Sequence, residues 1–542
     1  MARSRLRLLV VVLLATAYST RAAAGDLPAL VSKNGRHALM VDGAPYLMLC
    51  TQVNNSSAWP AVLPKVWPAV EQLRANTLQV PIAWEQIEAT EGQFDFSFLD
   101  TLLSQARDHK VRLVLLWFGT WKNNGPNYTP AWVKLDNQRF PRVLTAKGEM
   151  LNSLSPHAAT TLAADRKAFT ALMRHLAQAD ATHTVILVQV ENESGTYGTA
   201  RDYSPAAEKV FQSPVPASLV KALGKSKGSW SQVFGKDADE FFHAWSIASY
   251  IGEIAAAGKA DYPLPMYVNA ALRDPISPGP PGSYASGGPT DNVIDIWKAA
   301  APAVDFIVPD IYDRRFDRYT RYLELYGRPD NALFVGETGN DIPFARYFFA
   351  VLGAHAIGFS PFGLDFTGYS NYPLGAKAVD ADVMEAFAAN YRLLAPIARE
   401  WAKLSFEGEV WGASKPDDGK SQLLDLGRWT ATVSYGEWQF GMPDWTWLGP
   451  FDKPAAATEK KGGALIARLG PDEFLVTGLS TRVTFGIKDK GAAHGLIFDR
   501  VEEGHYESGR WVMERLWNGD QTDYGLNFTT LPQVLRVKLA TY

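Results

Sequence analysis

At 542 residues the chain is longer than one hydrophobic core organises, which implies a large domain with at least one smaller companion. An apolar fraction of 47% fits a globular protein, and a formal charge of -4 excludes the strongly basic balance of a nucleic-acid binder. Cys50 is the single cysteine, so no internal disulfide can brace the fold. The 17 tryptophans exceed what a core ordinarily needs, and indole faces stack well on the C–H faces of sugars.

In chain order, "MARSRLRLLVVVLLATAYSTRAAAG" carries Arg3, Arg5 and Arg7, a short apolar run and small residues up to Ala24. That layout predicts a secretory signal over residues 1–24, cleaved after Ala24, and a periplasmic or secreted protein. No later segment reaches about 18 uninterrupted apolar residues, so no membrane span is expected in the mature chain.

From about residue 46 to 405 one pattern recurs: a short apolar strand, a polar loop, an amphipathic helix. The strands are "YLMLCTQ", "TLQVPIAW", "VRLVLLWFG", "VILVQVENE", "PMYVNAA", "DFIVPDIY", "ALFVGETG" and "AIGFSPFG". Their nearly continuous apolar character implies burial on both faces, as in a parallel sheet covered by helices. Eight such units predict a (β/α)8 TIM barrel over residues 25–406. An open doubly wound sheet is disfavoured, since no glycine-rich phosphate turn follows the first strand. From about Glu407 short alternating stretches separated by Gly, Asp and Pro predict an all-β, sandwich-like domain over 407–542.

Barrel sites gather at the carboxyl ends of the strands. Those ends supply Gln52 and Asn55, Trp84 and Glu85, Trp117 and Trp121, Asn192 and Glu193, Asn269, Asp310 and Tyr312, Glu337, and Phe362. No His or Cys cluster has metal-ligand spacing, so neither a metal nor another cofactor is expected. No serine nucleophile elbow occurs. Glu193 and Glu337 end the fourth and seventh strands, which face one another across the mouth. Their carboxyl groups can then approach to about 5 Å, the separation of a retaining glycosidase.

"ILVQVENESGTYG" contains two glutamates of one strand parity, so alternation does not separate them. Position does: Glu191 lies within the strand and is expected to pack inside the barrel, whereas Glu193 sits at the lip. Asn192 is suited to hold a sugar 2-hydroxyl.

"ILVQVENESGTYG" resembles the acid/base signature of glycoside hydrolase family 35, the retaining β-galactosidases of a (β/α)8-barrel clan. "NTLQVPIAWEQIEATEGQFDFSFLDTLL" resembles that family's second-strand region, and the likeness covers roughly residues 30–400. The resemblance implies Glu193 as acid/base, Glu337 in "FVGETGND" as nucleophile, Asn192 as a sugar ligand and Tyr312 as a hydrogen-bond donor to the nucleophile. Gly119-Thr120-Trp121 stands where many members have Ala-Glu-Trp, and "TQVNNSS" departs from the first-strand pattern of the larger enzymes. Those features resemble a bacterial branch with a C-terminal β domain, some of whose members trim galactose from xyloglucan. The branch implies that Trp84, Trp117 and Trp121 wall the sugar subsite.

The expected activity is a retaining exo-β-galactosidase acting on oligo- or polysaccharide. Its alternatives are another retaining β-glycosidase of the clan, acting on β-glucosides, β-mannosides or α-L-arabinosides, and a non-catalytic carbohydrate-binding protein. The β domain suits bracing the barrel, binding polysaccharide or association into a homodimer.

Overall fold

The computed structural model describes residues 26–436, 459–488, 491 and 493–542, so the predicted signal lies outside the described residues. Eight parallel strands close into a barrel in sequence order: β1 (Met48–Gln52), β2 (Thr77–Ala83), β3 (Arg112–Lys122), β4 (Val185–Asn192), β5 (Met266–Ala271), β6 (Phe306–Ile311), β7 (Val335–Thr338) and β8 (Gly358–Pro361). Each coincides with one of the eight apolar runs. Burial on both faces is the reason they read as continuous rather than alternating.

The two faces build two cores. Val80, Ile82, Leu115, Val188, Val190 and Val268 point outward, against helices such as Ala159–Ala179 and Ala238–Asp261. Met48, Cys50, Val114, Leu116, Leu187, Tyr267, Val308 and Phe334 fill the lumen. A three-stranded antiparallel sheet (Ala29–Lys33, Arg36–Val41, Ala44–Tyr46) adds Leu39, Val41 and Tyr46 to that lumen cluster. The lumen thus has an apolar floor, and polar groups are left to the carboxyl ends. The sequence pattern did not anticipate this sheet.

One strand runs longer than predicted. β3 continues past Gly119 to Lys122, and its register with β4 jumps from Trp117 opposite Val190 to Lys122 opposite Asn192. Five residues of β3 thus match two of β4, a bulge of the kind that re-aims side chains beside a site.

Helices Ala381–Leu394 and Ala398–Glu407 lead into an all-β region beginning at Val410–Ser414. Among the described residues a six-stranded and a four-stranded antiparallel sheet face each other. Ile466, Phe474, Val476 and Val537 from one sheet meet Trp429, Val433, Val483 and Phe528 from the other, giving the sandwich its own core. No helix of the described residues is long and apolar enough to cross a membrane.

Candidate active site

The site begins where β4 loses its alternation. Leu187 faces the lumen and Val188 and Val190 the helices, so parity would return Glu191 to the lumen. Instead Glu191 adopts φ 64° and Glu193 φ 45°, left-handed backbone that costs energy in a non-glycine residue. The Glu191 carboxylate turns to the helix-facing side, accepting the Trp121 N–H at 2.7 Å beside Asp165 of helix Ala159–Ala179. The expectation that Glu191 packs inside the barrel is therefore corrected: it is buried outside the strand layer. Burial, the Asp165 charge and the hydrogen bond between the two carboxyls push it well above its ordinary range, and burial pushes Asp165 up as well.

Glu193 is half-buried and opens to the mouth. Its backbone is pinned from both sides: its N–H donates to Asn269 Oδ1 at 2.9 Å, and its carbonyl accepts Asn124 Nδ2–H at 2.9 Å. Across the mouth, Glu337 is held at both oxygens. Gln52 Nε2–H donates to Oε1 at 2.9 Å and Tyr312 O–H to Oε2 at 2.8 Å. Gln79 backs this arrangement from the lumen, donating to Gln52 Oε1, Gly336 O and Ser360 Oγ at 3.2, 2.6 and 2.7 Å while accepting from Tyr267 at 2.7 Å. The two donors fix the orientation of the Glu337 carboxyl.

Asp310 completes a group of three. One carboxyl oxygen from each of Glu193, Asp310 and Glu337 lies within 4.8 Å of the others. Asn269 Nδ2–H donates to Asp310 Oδ2 at 2.6 Å. Burial, then the charges of Glu337 and Glu193, push the Asp310 carboxyl well above its ordinary range. Burial and then the Glu337 charge push Glu193 up to about 7, with the Lys122 cation opposing them. Three hard oxygen donors are also a set that could take a divalent cation, which a scan for His and Cys spacing does not test.

The structure brings together Glu193, Glu337, Asn192, Asn269 and Tyr312 of the predicted residues. Asn192 is buried, with Oδ1 accepting from Lys122 Nζ at 2.7 Å. Asn55 follows β1, half-buried, its Oδ1 without a hydrogen-bond partner among the described residues. The three tryptophans do not reach the mouth, which corrects the predicted subsite wall. Trp84, Trp117 and Trp121 are at most 1% exposed and belong to the core between strands and helices. Their indole N–H groups donate inward, to Glu88 at 2.8 Å, Asp165 at 2.9 Å and Ser153 at 3.3 Å. Trp84 has already entered helix Trp84–Ile87, and the β3 bulge carries Trp121 to the same outer side. Trp59 and Tyr197 are about half exposed instead, and the Glu193 charge acts on Tyr197.

Gln79, Lys122 and Asn124 were not singled out from sequence. The available signals were a glutamine inside an otherwise apolar strand and a lysine before the Asn-Asn-Gly turn. The loops after β4 and β5 are zipped together by Thr196–Ser286 backbone hydrogen bonds at 2.9 and 3.1 Å and by Gly198 N–H to Gly282 O at 2.8 Å, making one wall of the mouth.

Residues 61–243 match a family model described as Beta-galactosidase, that of glycoside hydrolase family 42. Residues 387–529 match one described as a Domain of unknown function. The clan of (β/α)8 glycosidases fits, while the finer assignment to family 35 is not what the matching model gives. A search of curated proteins found no match. Among solved structures, the chain is similar to the β-galactosidase of Bacillus circulans sp. alkalophilus, with 14% identity and a TM-score of 0.48, covering 66% of this chain and 57% of that one. It is also similar to the β-galactosidase of the psychrophilic Marinomonas ef1, with 12% identity and a TM-score of 0.47 over 66% and 61%. A third is the catalytic domain of the β-amylase of Paenibacillus polymyxa, with 14% identity and a TM-score of 0.43 over 58% and 92%. The chain thus spans about three-fifths of the length of the two β-galactosidases. The family-model match over residues 61–243 supports a glycoside hydrolase.

Proposed function

We propose that the protein is an exported, retaining exo-β-galactosidase in which Glu337 is the nucleophile and Glu193 the acid/base. The observation that carries this reading is the pair of carboxyl oxygens of Glu193 and Glu337 within 4.8 Å across the mouth, in unlike environments. Glu337 is gripped and oriented by Gln52 and Tyr312, while Glu193 at about 7 keeps a proton to give. Such a division of two carboxyls is what glycoside hydrolysis requires.

Glu337 attacks the anomeric carbon as Glu193 protonates the leaving glycosidic oxygen, leaving a covalent glycosyl ester. Glu193, now a carboxylate, then takes a proton from the water that cleaves the ester, and the anomeric configuration is kept. Asn192 offers its amide to the 2-hydroxyl, a contact that strengthens toward the transition state. The family match over residues 61–243 favours galactose as the glycone, and the xyloglucan side chain is the polymer to test first. The arginine-led N-terminus supports export to the periplasm or beyond.

The test is turnover of aryl β-galactoside beside the β-glucoside, β-mannoside and α-L-arabinoside, with proton NMR of the sugar first released. β-Galactose appearing first is expected. α-Galactose first would make the enzyme inverting, and no turnover of any glycoside would refute the reading. Glu337→Gly should lose activity by at least about 10⁴-fold and regain part of it with azide as α-galactosyl azide. Glu193→Ala should give the β-azide.

A further inference from the structure

Beyond Lys122 the chain reverses through Lys122-Asn123-Asn124-Gly125. The Lys122 N–H donates to Gly125 O at 2.9 Å, and Asn123 and Asn124 have φ 51° and 68°. Two left-handed central residues are the mark of a type I′ turn, where asparagine is the favoured residue after glycine. The turn aims two side chains at consecutive residues of β4. Lys122 Nζ donates to Asn192 Oδ1 at 2.7 Å, and Asn124 Nδ2 donates to the Glu193 carbonyl at 2.9 Å.

Lys122 is only 5% exposed, whereas lysines ordinarily carry their ammonium to water. Its Nζ also donates to Asn123 Oδ1 at 2.5 Å and lies 5.1 Å from the centre of the Phe118 ring. An ammonium has only donors, so the end of the Asn192 amide that faces it must be the oxygen. The lysine thereby fixes which way the amide points. Asn192 Nδ2 is the end left over, buried and without a hydrogen-bond partner among the described residues.

We propose that Lys122 is a positioning residue that presents Asn192 Nδ2–H to the sugar 2-hydroxyl, so that discrimination at that hydroxyl depends on a residue that never touches it. The proposal rests on the β-glycosidase reading above. Lys122 has a second effect through its charge. The charges acting on Glu193 are Glu337 from β7 and Lys122 from β3, and the Glu193 charge in turn acts on Asp310 from β6, Tyr312 just beyond it and Tyr197 from the loop after β4. Lys122 is the cation among them, and it draws the Glu193 proton affinity down against burial and Glu337.

The experiment compares 4-nitrophenyl β-galactoside with its 2-deoxy analogue in wild type, Lys122→Met and Lys122→Gln, with circular dichroism as the folding control. For Lys122→Met, the wild-type preference for the 2-hydroxyl should fall about tenfold, the worth of one oriented hydrogen bond, and the alkaline limb of kcat/KM should move to higher pH. Lys122→Gln keeps an N–H donor without the charge, so it should move the limb and retain most of the discrimination; it also serves if Lys122→Met fails to fold. Equal losses on both substrates with the alkaline limb unmoved would overturn the proposal. If the wild type cleaves no glycoside, the function itself fails. The proposal is then decided by NMR titration with galactose and 2-deoxygalactose, where an unchanged preference in Lys122→Met overturns it.

Discussion

Glu191 and Glu193 sit two residues apart in one strand and meet opposite surroundings, because a left-handed residue at 191 breaks the alternation that would have aligned them. Glu191 shares a buried space with Asp165, where burial and the Asp165 charge raise its affinity for a proton. Its unfolded counterpart releases that proton above about pH 4.3. Folding therefore takes up a proton above that pH, and this group's contribution to stability falls as pH rises from there toward the raised folded value. Glu191→Gln fits the same space, its oxygen accepting from Trp121 and its amide N–H directed at Asp165. It should melt close to wild type at pH 5 and be more stable by ~1 kcal/mol or more at pH 8, as expected when a buried carboxyl pair loses its charge burden. A catalytic Glu191 would instead lose turnover on substitution. Glu193 gives the opposite signature. Burial and Glu337 raise it to about 7, so kcat/KM should fall as pH rises through about 7. In Glu337→Gln the neighbouring charge is gone, and the Glu193 carboxyl, followed by ¹³C NMR, should titrate below its wild-type value.

At the scale of elements, the bulge of β3 decides the site's shape, and Gly119 is what permits it. A Cβ there would lie 2.3 Å from Trp117 Nε1, 2.6 Å from Glu191 Oε1 and 2.8 Å from Asp165 Oδ2. The three side chains are buried side by side, with Trp117 Nε1–H donating to Asp165 and Glu191 accepting the Trp121 N–H, so none has room to yield. Gly119→Ala should cost ~1–3 kcal/mol in thermal or urea unfolding. It should also lower kcat/KM by displacing Lys122 and the backbone of β4. The bulge marks the limit of what the sequence discloses. The eight strands were legible because burial on both faces writes itself as unbroken apolar runs, and Glu193 and Glu337 because each is the carboxylate at a strand's end. The directions of Trp84, Trp117 and Trp121 were not. They depend on where β3 slips against β4 and where a helix begins, which are properties of paired strands rather than of a local run. The antiparallel sheet at residues 29–46 escaped for a similar reason: short, half-exposed strands carry little periodic signal.

At the scale of the whole molecule, the sandwich is packed into the barrel rather than tethered to it. Leu465, Ala467, Leu475, Leu479 and Val534 of the sheets join the same core as Phe348, Phe349 and Trp401 of the barrel helices. At one point the approach is backbone to backbone: a Cβ on Gly412 would lie 2.0 Å from Phe349 O and 2.8 Å from Gly353 Cα. Arg346 locks the seam. Fully buried, it donates to Lys415 O at 2.9 Å and Asp417 Oδ1 at 2.8 Å on the sandwich side, and to Arg314 O at 3.1 Å and Tyr347 Oη at 2.8 Å on the barrel side. The helix it precedes, Tyr347–Gly353, lies in the crossover between β7, which carries Glu337, and β8. Loosening the seam therefore loosens the support of the nucleophile's strand. Arg346→Met keeps much of the volume but removes every one of those donors and leaves Asp417 without its buried cation. A loss of about 1–3 kcal/mol is expected, from the buried carbonyl acceptors left unpaired, since Asp417 is itself partly exposed and keeps Lys460 at 3.0 Å. Calorimetry should show the earlier onset of a melt that separates into two transitions, with kcat/KM declining at temperatures where the wild type is still fully folded. Arg321→Met is the control. Its ion pair with Glu324 is exposed on both sides and should be worth at most about 0.5 kcal/mol. If the two variants melt alike, Arg346 does not hold the domains together, and the apolar core across the seam carries the coupling alone.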